Sequence, residues 1–233
     1  MPHELSISEI RSLTEDFVEA TVRAKRLGFE VMELHSAHGY LLHEFLSPLA
    51  NQRKDSYGKQ RMQFPLEVAR AVREVWPKER GLGARISASD WMEGGAGPDE
   101  AVAYARELKR IGFDYACVSS GAMVPHARIP VALGYKVPFA EKVKAEAAIN
   151  VRAVGMIVLP GQAEEIVASG KADMVALARG FLDDPRWAWH AAEHFGVKID
   201  VPPPYERAAP AYWPGARSLR KPLPEKGMPV AAP

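Results

Sequence analysis

The sequence predicts an α/β protein in which helices cover a parallel β-sheet. Between about residues 6 and 196, amphipathic helical segments alternate with short apolar segments of strand length. The helix-to-strand junction Arg26-Leu27-Gly28-Phe29-Glu30 is echoed by Arg110-Ile111-Gly112-Phe113-Asp114, and Gly170-Lys171-Ala172-Asp173 is a weaker third copy. Repeated helix–strand units of this kind indicate a parallel sheet with its helices outside.

The individual elements follow from their local patterns. Ser6 and Glu9 have the spacing of a capping box, which opens a helix that Gly28 ends. A strand at Val31–Leu34 follows, and a loop then runs to about Arg61. Four further strands are predicted at Leu82–Ser87, Tyr115–Ser119, Asn150–Val154 and Met174–Leu177. Helices are predicted at Pro65–Trp76, from Pro98 onwards, at Phe139–Ala148, at Gln162–Ser169, and from Asp184-Pro185 to Gly196.

Five strands are fewer than the eight of a closed (β/α)₈ barrel. The residues therefore leave two alternatives: an open five-stranded sheet, or the C-terminal part of a barrel whose first three strands are absent. We assign residues 1–200 to this α/β unit. Residues 201–233 form a separate Pro-rich, basic tail with nine of the 19 prolines, in which a packed domain is not expected.

Composition excludes several classes of function. The formal net charge is +1, which argues against binding to nucleic acid or to an anionic membrane surface. The only cysteine, Cys117, fits a reducing compartment. The start of the chain lacks a signal-peptide pattern, and no apolar run is long enough to span a bilayer. We therefore expect a cytoplasmic protein.

The chemistry-bearing segment is Glu33-Leu34-His35-Ser36-Ala37-His38-Gly39-Tyr40, at the end of the first strand. Neutral imidazoles at His35 and His38 can both donate hydrogen bonds to one substrate oxygen, and the Tyr40 phenol can give up a proton. On a regular strand two residues three apart face opposite sides, so joint action requires the strand to end between them. The pattern indicates carbonyl polarisation with proton delivery.

Two other interpretations of these histidines stay open. They can be structural, held only by hydrogen bonds within the fold. They can also be metal ligands together with His43, as in a metal-dependent barrel hydrolase, although neither an HExxH motif nor a suitably spaced carboxylate accompanies them.

Two more features suggest contacts to an anionic ligand. Arg85 lies within an apolar strand, where a buried guanidinium needs a partner. The partner is either a ligand, as an anion or a polarised carbonyl, or a carboxylate of the protein itself, such as Glu33 or Asp90. Glycine-containing turns follow the last two strands, and the second carries an arginine, as phosphate sites do. The residues concerned are Gly155 and Met156 in the first turn, and Ala178 and Arg179 in the second.

Taken together, these motifs resemble the old yellow enzyme family of FMN-dependent ene reductases, in its two-histidine subgroup. The resemblance extends from about Ser6 to Arg207. It is carried by the histidine segment and four other stretches. These are Phe45-Leu46-Ser47-Pro48 with Asn51–Gly58, Arg85-Ile86-Ser87-Ala88-Ser89-Asp90, Gly155-Met156-Ile157, and Ala176–Pro185.

The resemblance implies a barrel that binds FMN, takes its reducing equivalents from NAD(P)H and reduces the C=C bond of α,β-unsaturated carbonyl compounds. It implies that His35 and His38 hold the substrate carbonyl and that Tyr40 donates the proton. Arg85 would face the flavin ring. The phosphate would be bound by Gly155, Met156, Ala178 and Arg179, and no metal would be bound.

The chain also departs from the family pattern. It begins where the fourth barrel strand of such an enzyme is about to start, so it resembles only the C-terminal portion. Lys59-Gln60-Arg61 replaces a longer family loop. Tyr205-Glu206-Arg207 matches an ending that, in some homo-oligomeric relatives, sends an arginine into the neighbouring subunit. We expect this chain alone to bind FMN weakly or not at all, and a non-catalytic remnant that needs a partner remains an alternative.

Overall fold

The computed structural model describes residues 3–209, 211–213 and 215–216. Within these residues five parallel strands form one sheet in the order β1-β2-β3-β4-β5. The predicted fold class, a partial (β/α)₈ barrel of five βα units, is confirmed. The strands are β1 (Val31–Ser36), β2 (Gly81–Ser87), β3 (Tyr115–Ser119), β4 (Asn150–Ala153) and β5 (Met174–Val175).

The helices lie between the strands in sequence. Each strand is preceded by a helix, and the chain crosses over from each strand to the next through at least one helix, as parallel pairing requires. The bounds are α1 (Ile7–Arg26), α2 (Leu41–Leu46), α3 (Ser56–Lys59), α4 (Gln63–Val75), α5 (Pro98–Ile111), α6 (Val137–Ala147), α7 (Pro160–Ala168), α8 (Arg179–Asp183), α9 (Trp187–His194) and α10 (Pro203–Glu206).

The repeated junctions set the strand register. Gly28, Gly112 and Gly170 all have positive φ, the left-handed conformation that ends a helix with little strain in glycine. After the second and third junctions an aspartate accepts a hydrogen bond from the backbone of a neighbouring strand segment. Asp114 Oδ2 accepts from Leu82 N at 2.7 Å, and Asp173 Oδ2 from Val151 N at 2.8 Å. Each repeat therefore ties a helix end to the sheet.

The core lies between the helices and the outer face of the sheet. α1 begins with the predicted capping box, in which Ser6 and Glu9 satisfy each other's backbone N–H groups. Behind it, alternate strand residues and the inner faces of α4 and α5 are fully buried. The largest of these side chains belong to Trp76, Tyr104, Phe64, Leu82, Ile86 and Leu108.

The opposite face of the sheet is polar and charged. Glu33 on β1 forms an ion pair with Arg152 on β4, and the Arg152 guanidinium lies 4.9 Å from the ring centroid of Tyr115. The Tyr115 ring covers Gly83, where an added Cβ would come within 2.1 Å of it. The absence of a side chain at Gly83 is therefore required for the packing of this face.

Several predicted bounds were wrong. The segment predicted as a loop up to Arg61 contains α2 and α3, and β5 stops at Val175 rather than at Leu177. The last predicted helix begins at Trp187, not at Asp184, because the Asp184 carboxylate instead accepts from Arg186 N and contacts the His190 ring. Most of the predicted tail lies outside the described residues. No helix in the described part of the chain could cross a membrane.

Candidate functional site

The predicted histidine pair lies where β1 ends. β1 stops at Ser36, and His38 and Gly39 then adopt positive φ values of 60° and 74°, so the chain turns sharply. The ring centroids of His35 and His38 are 5.4 Å apart, and those of His35 and Tyr40 are 5.3 Å apart. The strand thus ends between the two histidines, and the turn brings all three rings to one end of the sheet.

The turn is held by close packing and by hydrogen bonds. A Cβ at Gly39 would come within 2.3 Å of the carbonyl oxygen of Ala122, so only glycine fits beside the loop after β3. The backbone N–H of His38 donates to Ser87 Oγ at 3.1 Å, and that of Gly39 donates to His43 Nδ1 at 3.0 Å. The backbone at His38 is therefore fixed by the packing of Gly39 and by two hydrogen bonds.

His43 belongs to a buried network under this turn. Its Nε2 lies 3.1 Å from Asp90 Oδ1, and the two side chains are 1% and 0% exposed. Asp90 Oδ2 accepts from Ser47 Oγ at 2.6 Å and from Ala96 N at 2.8 Å. Burial raises the pKa of Asp90, but the hydrogen bonds outweigh burial and the net pKa is lowered. The network therefore holds a carboxylate beneath the turn.

Nδ1 of His43 accepts from Gly39 N and its Nε2 lies 3.1 Å from Asp90 Oδ1, so both nitrogens are directed into this network rather than towards a metal shared with His35 and His38. Among the residues that the structure describes, no group of three or more His, Cys, Asp or Glu side chains could hold a metal ion.

Arg85 lies on β2 directly opposite His35 in the sheet register. Its positive charge lowers the pKa of both histidines. The two carboxylates suggested as its ion-pair partners are engaged elsewhere, Glu33 with Arg152 and Asp90 in the network beneath the turn. The suggested ion pair is therefore absent, and Arg85 Nε is buried without a hydrogen-bond partner among the described residues.

Lys136, just before α6, was not singled out from the sequence. Its Nζ donates to Ser119 Oγ at 3.0 Å and to the carbonyl of Ser120 at 3.3 Å. Ser119 Oγ also lies 2.7 Å from His38 Nε2. Burial, followed by repulsion from Arg85, lowers the pKa of Lys136 to about 8. A lysine before a helix carries no sequence signal of a site, because its approach depends on the folding of α6 onto β3.

The two histidines are neutral at physiological pH. Burial is the main cause that lowers the pKa of His35, and the charge of Arg85 adds to it. For His38 burial, Arg85 and Lys136 together lower the pKa to about 4. Each neutral ring presents one N–H donor and one acceptor nitrogen. The arrangement can therefore donate hydrogen bonds to an oxygen that gains negative charge.

The predicted phosphate turns lie on the same side of the structure as Lys136. Gly155 has φ of 105°, and a Cβ there would come within 2.8 Å of the Lys136 stem. Met156 also has positive φ. Ala178 and Arg179 are exposed at the start of α8, and the charge of Arg179 contributes to lowering the pKa of Lys136. Lys136 therefore packs against the first turn, feels the charge of the second, and is linked to His38 through Ser119.

A cavity of about 450 Å³ lies elsewhere, next to α3, α4 and α5. Its lining includes His43, Lys59, Arg61 and Glu100, but none of the residues predicted to bind flavin or substrate. This cavity is therefore separate from the predicted flavin and substrate site.

A family model described as the NADH:flavin oxidoreductase / NADH oxidase family matches residues 1–197. A protein named NADPH dehydrogenase from Geobacillus thermodenitrificans is 47% identical over 209 residues. One of the same name from Bacillus subtilis is 42% identical over 209 residues. In both comparisons 88% of this chain is covered, and the chain spans 61% of the length of the relative.

Solved structures give the same grouping. A morphinone reductase bound to tetrahydroNAD has a TM-score of 0.67 and 30% sequence identity, and the match covers 87% of this chain and 53% of that chain. A 2-naphthoyl-CoA reductase has a TM-score of 0.77 at 24% identity, covering 82% of this chain and 30% of that chain, which supports the fold alone.

Proposed function

Since the chain belongs to the NADH:flavin oxidoreductase / NADH oxidase family, we propose that it forms the substrate- and phosphate-binding part of an FMN-dependent oxidoreductase. The reaction would be the NAD(P)H-dependent reduction of the C=C bond of an α,β-unsaturated carbonyl compound. The observation that carries the proposal is the pairing of two neutral imidazoles with the buried, unpartnered guanidinium nitrogen of Arg85.

The charges and hydrogen-bonding groups of the site fit FMN. Arg85 and Lys136 leave a positive charge at the histidine end of the sheet, and Arg179 adds another at the turn after β5. FMN is an anion with a planar ring that accepts hydrogen bonds at its edge, so a buried guanidinium is a suitable partner. Arg85 would contact the ring, while the turns that contain Gly155, Met156, Ala178 and Arg179 would hold the phosphate.

When bound, FMN supplies the hydride that it has received from NAD(P)H. His35 and His38 hold the carbonyl oxygen of the substrate and donate hydrogen bonds to it as negative charge develops there. One well-placed donor to such an oxygen is worth about 10²–10³ in rate. Because both imidazoles are neutral, they polarise the carbonyl without losing a proton to it.

Tyr40 is the proposed proton donor. Its side chain is 64% exposed and its ring lies 5.3 Å from that of His35, so a substrate held by the histidines would lie within reach of the phenol. Hydride addition at the β-carbon and proton delivery from Tyr40 to the α-carbon together saturate the double bond. Solvent can then restore the proton to the exposed phenol.

We also propose a homo-oligomer in which Arg207 reaches the site of a neighbouring subunit. Arg207 is exposed and forms the C-terminal cap of α10. A solvent-exposed guanidinium near the end of the α/β unit is compatible with contact to an anionic group of a second copy. Replacement of Arg207 by methionine would then lower activity without changing the free energy of unfolding.

The test uses this chain and a fusion protein that joins it to the part of the Geobacillus thermodenitrificans NADPH dehydrogenase that it does not match. Both are incubated with FMN, NADPH and 2-cyclohexenone, and the saturated ketone is measured by gas chromatography. We expect turnover by the fusion protein and little or none by the chain alone. His35→Ala and His38→Ala should each lower kcat about 10²–10³-fold.

His194→Ala is the matched control, because this exposed histidine on α9 lies outside the proposed site. A fusion protein that binds FMN stoichiometrically and yet forms no saturated ketone would contradict the proposed reaction. Turnover that survives both histidine replacements would contradict the proposed roles. Failure of both proteins to bind FMN would favour the non-catalytic remnant.

A further inference from the structure

We propose that Lys136, acting through Ser119, fixes the His38 imidazole in the tautomer that carries its proton on Nδ1. Lys136 is then a positioning residue, because it sets which nitrogen of His38 can donate a hydrogen bond. The inference concerns the free chain, and it rests on the proposed function only in assigning the Nδ1–H donor to a substrate carbonyl.

The Ser119 hydroxyl links Lys136 to His38. Ser119 is fully buried, and its Oγ contacts two side-chain nitrogens, Lys136 Nζ at 3.0 Å and His38 Nε2 at 2.7 Å. A lysine ammonium has only donors, so Lys136 donates and Oγ accepts. The hydroxyl proton is also buried and requires an acceptor. Of the two nitrogens, only His38 Nε2 can accept it.

The tautomer follows from this direction. When Nε2 accepts from Ser119, the single proton of the neutral ring must lie on Nδ1. The His38 ring is neutral because its pKa is lowered to about 4, and Lys136 is one of the causes. Lys136 therefore acts twice on His38, by directing the hydroxyl proton of Ser119 towards it and by disfavouring its protonation.

The position of Lys136 is built into the fold. Its stem passes over Gly155, where a Cβ would come within 2.8 Å of its Cγ and Cδ atoms. Its Nζ also donates to the Ser120 carbonyl and lies 5.2 Å from the ring centroid of Tyr135. The Lys136 side chain is thus held by two hydrogen bonds, by the Tyr135 ring and by close packing against Gly155. It therefore has little freedom to move away from Ser119.

The charged and titratable groups around Lys136 come from four elements. They are His38 from the turn after β1, Arg85 from β2, Cys117 from β3 and Arg179 from α8. Burial and the two arginines lower the pKa of Lys136 to about 8, while Cys117 opposes this. Above that pH the neutral amine can accept from Ser119, whose Oγ is then able to accept from Nε2–H of His38. Deprotonation of Lys136 therefore permits the opposite hydrogen-bond direction, which the ammonium form excludes.

The experiment is ¹⁵N NMR of the imidazole nitrogens of His38 in the full chain without added FMN. At neutral pH the wild-type chain should give a protonated Nδ1 and an unprotonated Nε2. Lys136→Met should populate the Nε2–H tautomer and raise the pKa of His38. Lys136→Arg keeps a cationic donor and should retain the wild-type tautomer of His38. Lys142→Met, farther along the same helix, should change neither the tautomer nor the pKa of His38.

Two further measurements keep the inference falsifiable if Lys136→Met does not fold. Ser119→Ala, which removes the hydroxyl between Lys136 and His38, should also populate the Nε2–H tautomer of His38. In the wild-type chain the nitrogen shifts of His38 should change with a midpoint near the pKa of Lys136, about 8. A wild-type His38 protonated on Nε2 at neutral pH, or a Lys136→Met or Ser119→Ala chain that keeps the wild-type tautomer, would overturn the proposal. Because no flavin is needed, either result is independent of the proposed reductase activity.

Discussion

Replacement of Asp90 by asparagine should destabilise the chain strongly, although the two side chains have nearly the same shape. Asp90 is fully buried, accepts two hydrogen bonds and lies in polar contact with a third donor. Its Oδ2 accepts from Ser47 Oγ and Ala96 N, and its Oδ1 faces His43 Nε2. Because Gly39 N donates to His43 Nδ1, the ring proton lies on Nε2, which is in polar contact with Asp90 Oδ1 at 3.1 Å.

Asparagine cannot satisfy all three donors. If the asparagine NH₂ group takes the place of Oδ1, its N–H groups face the N–H of His43 Nε2. If the NH₂ group takes the place of Oδ2 instead, it faces the donors of Ser47 and Ala96. An unsatisfied buried donor costs about 1–3 kcal/mol, and a lost hydrogen bond to a charged group about 1.5–3 kcal/mol. The free energy of unfolding of Asp90→Asn should therefore fall by about 2.5–6 kcal/mol, the sum of these two costs.

Urea denaturation followed by circular dichroism measures this difference. Asp99→Asn is the control, because Asp99 is 89% exposed and its ion pair with Lys142 should be worth less than about 1 kcal/mol. The pKa of Asp90 is lowered in the folded chain, so its contribution is present above the unfolded value of about 3.9 and is lost as the pH falls through the folded pKa. The difference between wild type and Asp90→Asn should shrink accordingly below about pH 4.

Equal free energies of unfolding for Asp90→Asn and the wild-type chain would refute this account of the network. So would a difference between them that does not change as the pH is lowered.

Three other predictions concern the turn and the site. Gly39→Ala should lower the free energy of unfolding by about 2–4 kcal/mol in urea denaturation, because it combines positive φ with a 2.3 Å contact to the Ala122 carbonyl; a loss below about 1 kcal/mol would contradict the contact. Arg85→Met should weaken FMN binding to the fusion protein by about 10- to 100-fold in a fluorescence titration, and unchanged affinity would exclude Arg85 as a contact. The proton resonance of His38 Cε1 should keep its neutral shift until the pH approaches 4, whereas a midpoint near the ordinary value of about 6.5 would contradict the burial of the ring.

The five strands and the main helices were predictable because each depends on local patterns. The capping box of Ser6 and Glu9 and the glycines that follow α1, α5, α7 and α9 act within a few residues of the element they define. The short helices α2, α3 and α8 were missed because four to six residues give too little periodicity to detect.

The features that were wrong or missed depend on contacts between distant parts of the chain. One of the two interpretations of Arg85 gave it Glu33 or Asp90 as an ion-pair partner, but Glu33 pairs with Arg152, 119 residues away in sequence. Lys136 reaches Ser119 only because the turn after β4 leaves room at Gly155. Sequence patterns place residues on strands and turns, whereas the pairing of charges is decided when the strands assemble.

The central claim is that His35, His38 and Arg85 belong to a flavin site that reduces activated double bonds. The most direct measurement is the anaerobic absorption spectrum of the FMN-loaded fusion protein. The flavin band should bleach on addition of NADPH and return on addition of 2-cyclohexenone, with the return slowed in His38→Ala. A flavin that NADPH reduces but that 2-cyclohexenone leaves reduced would contradict the claim.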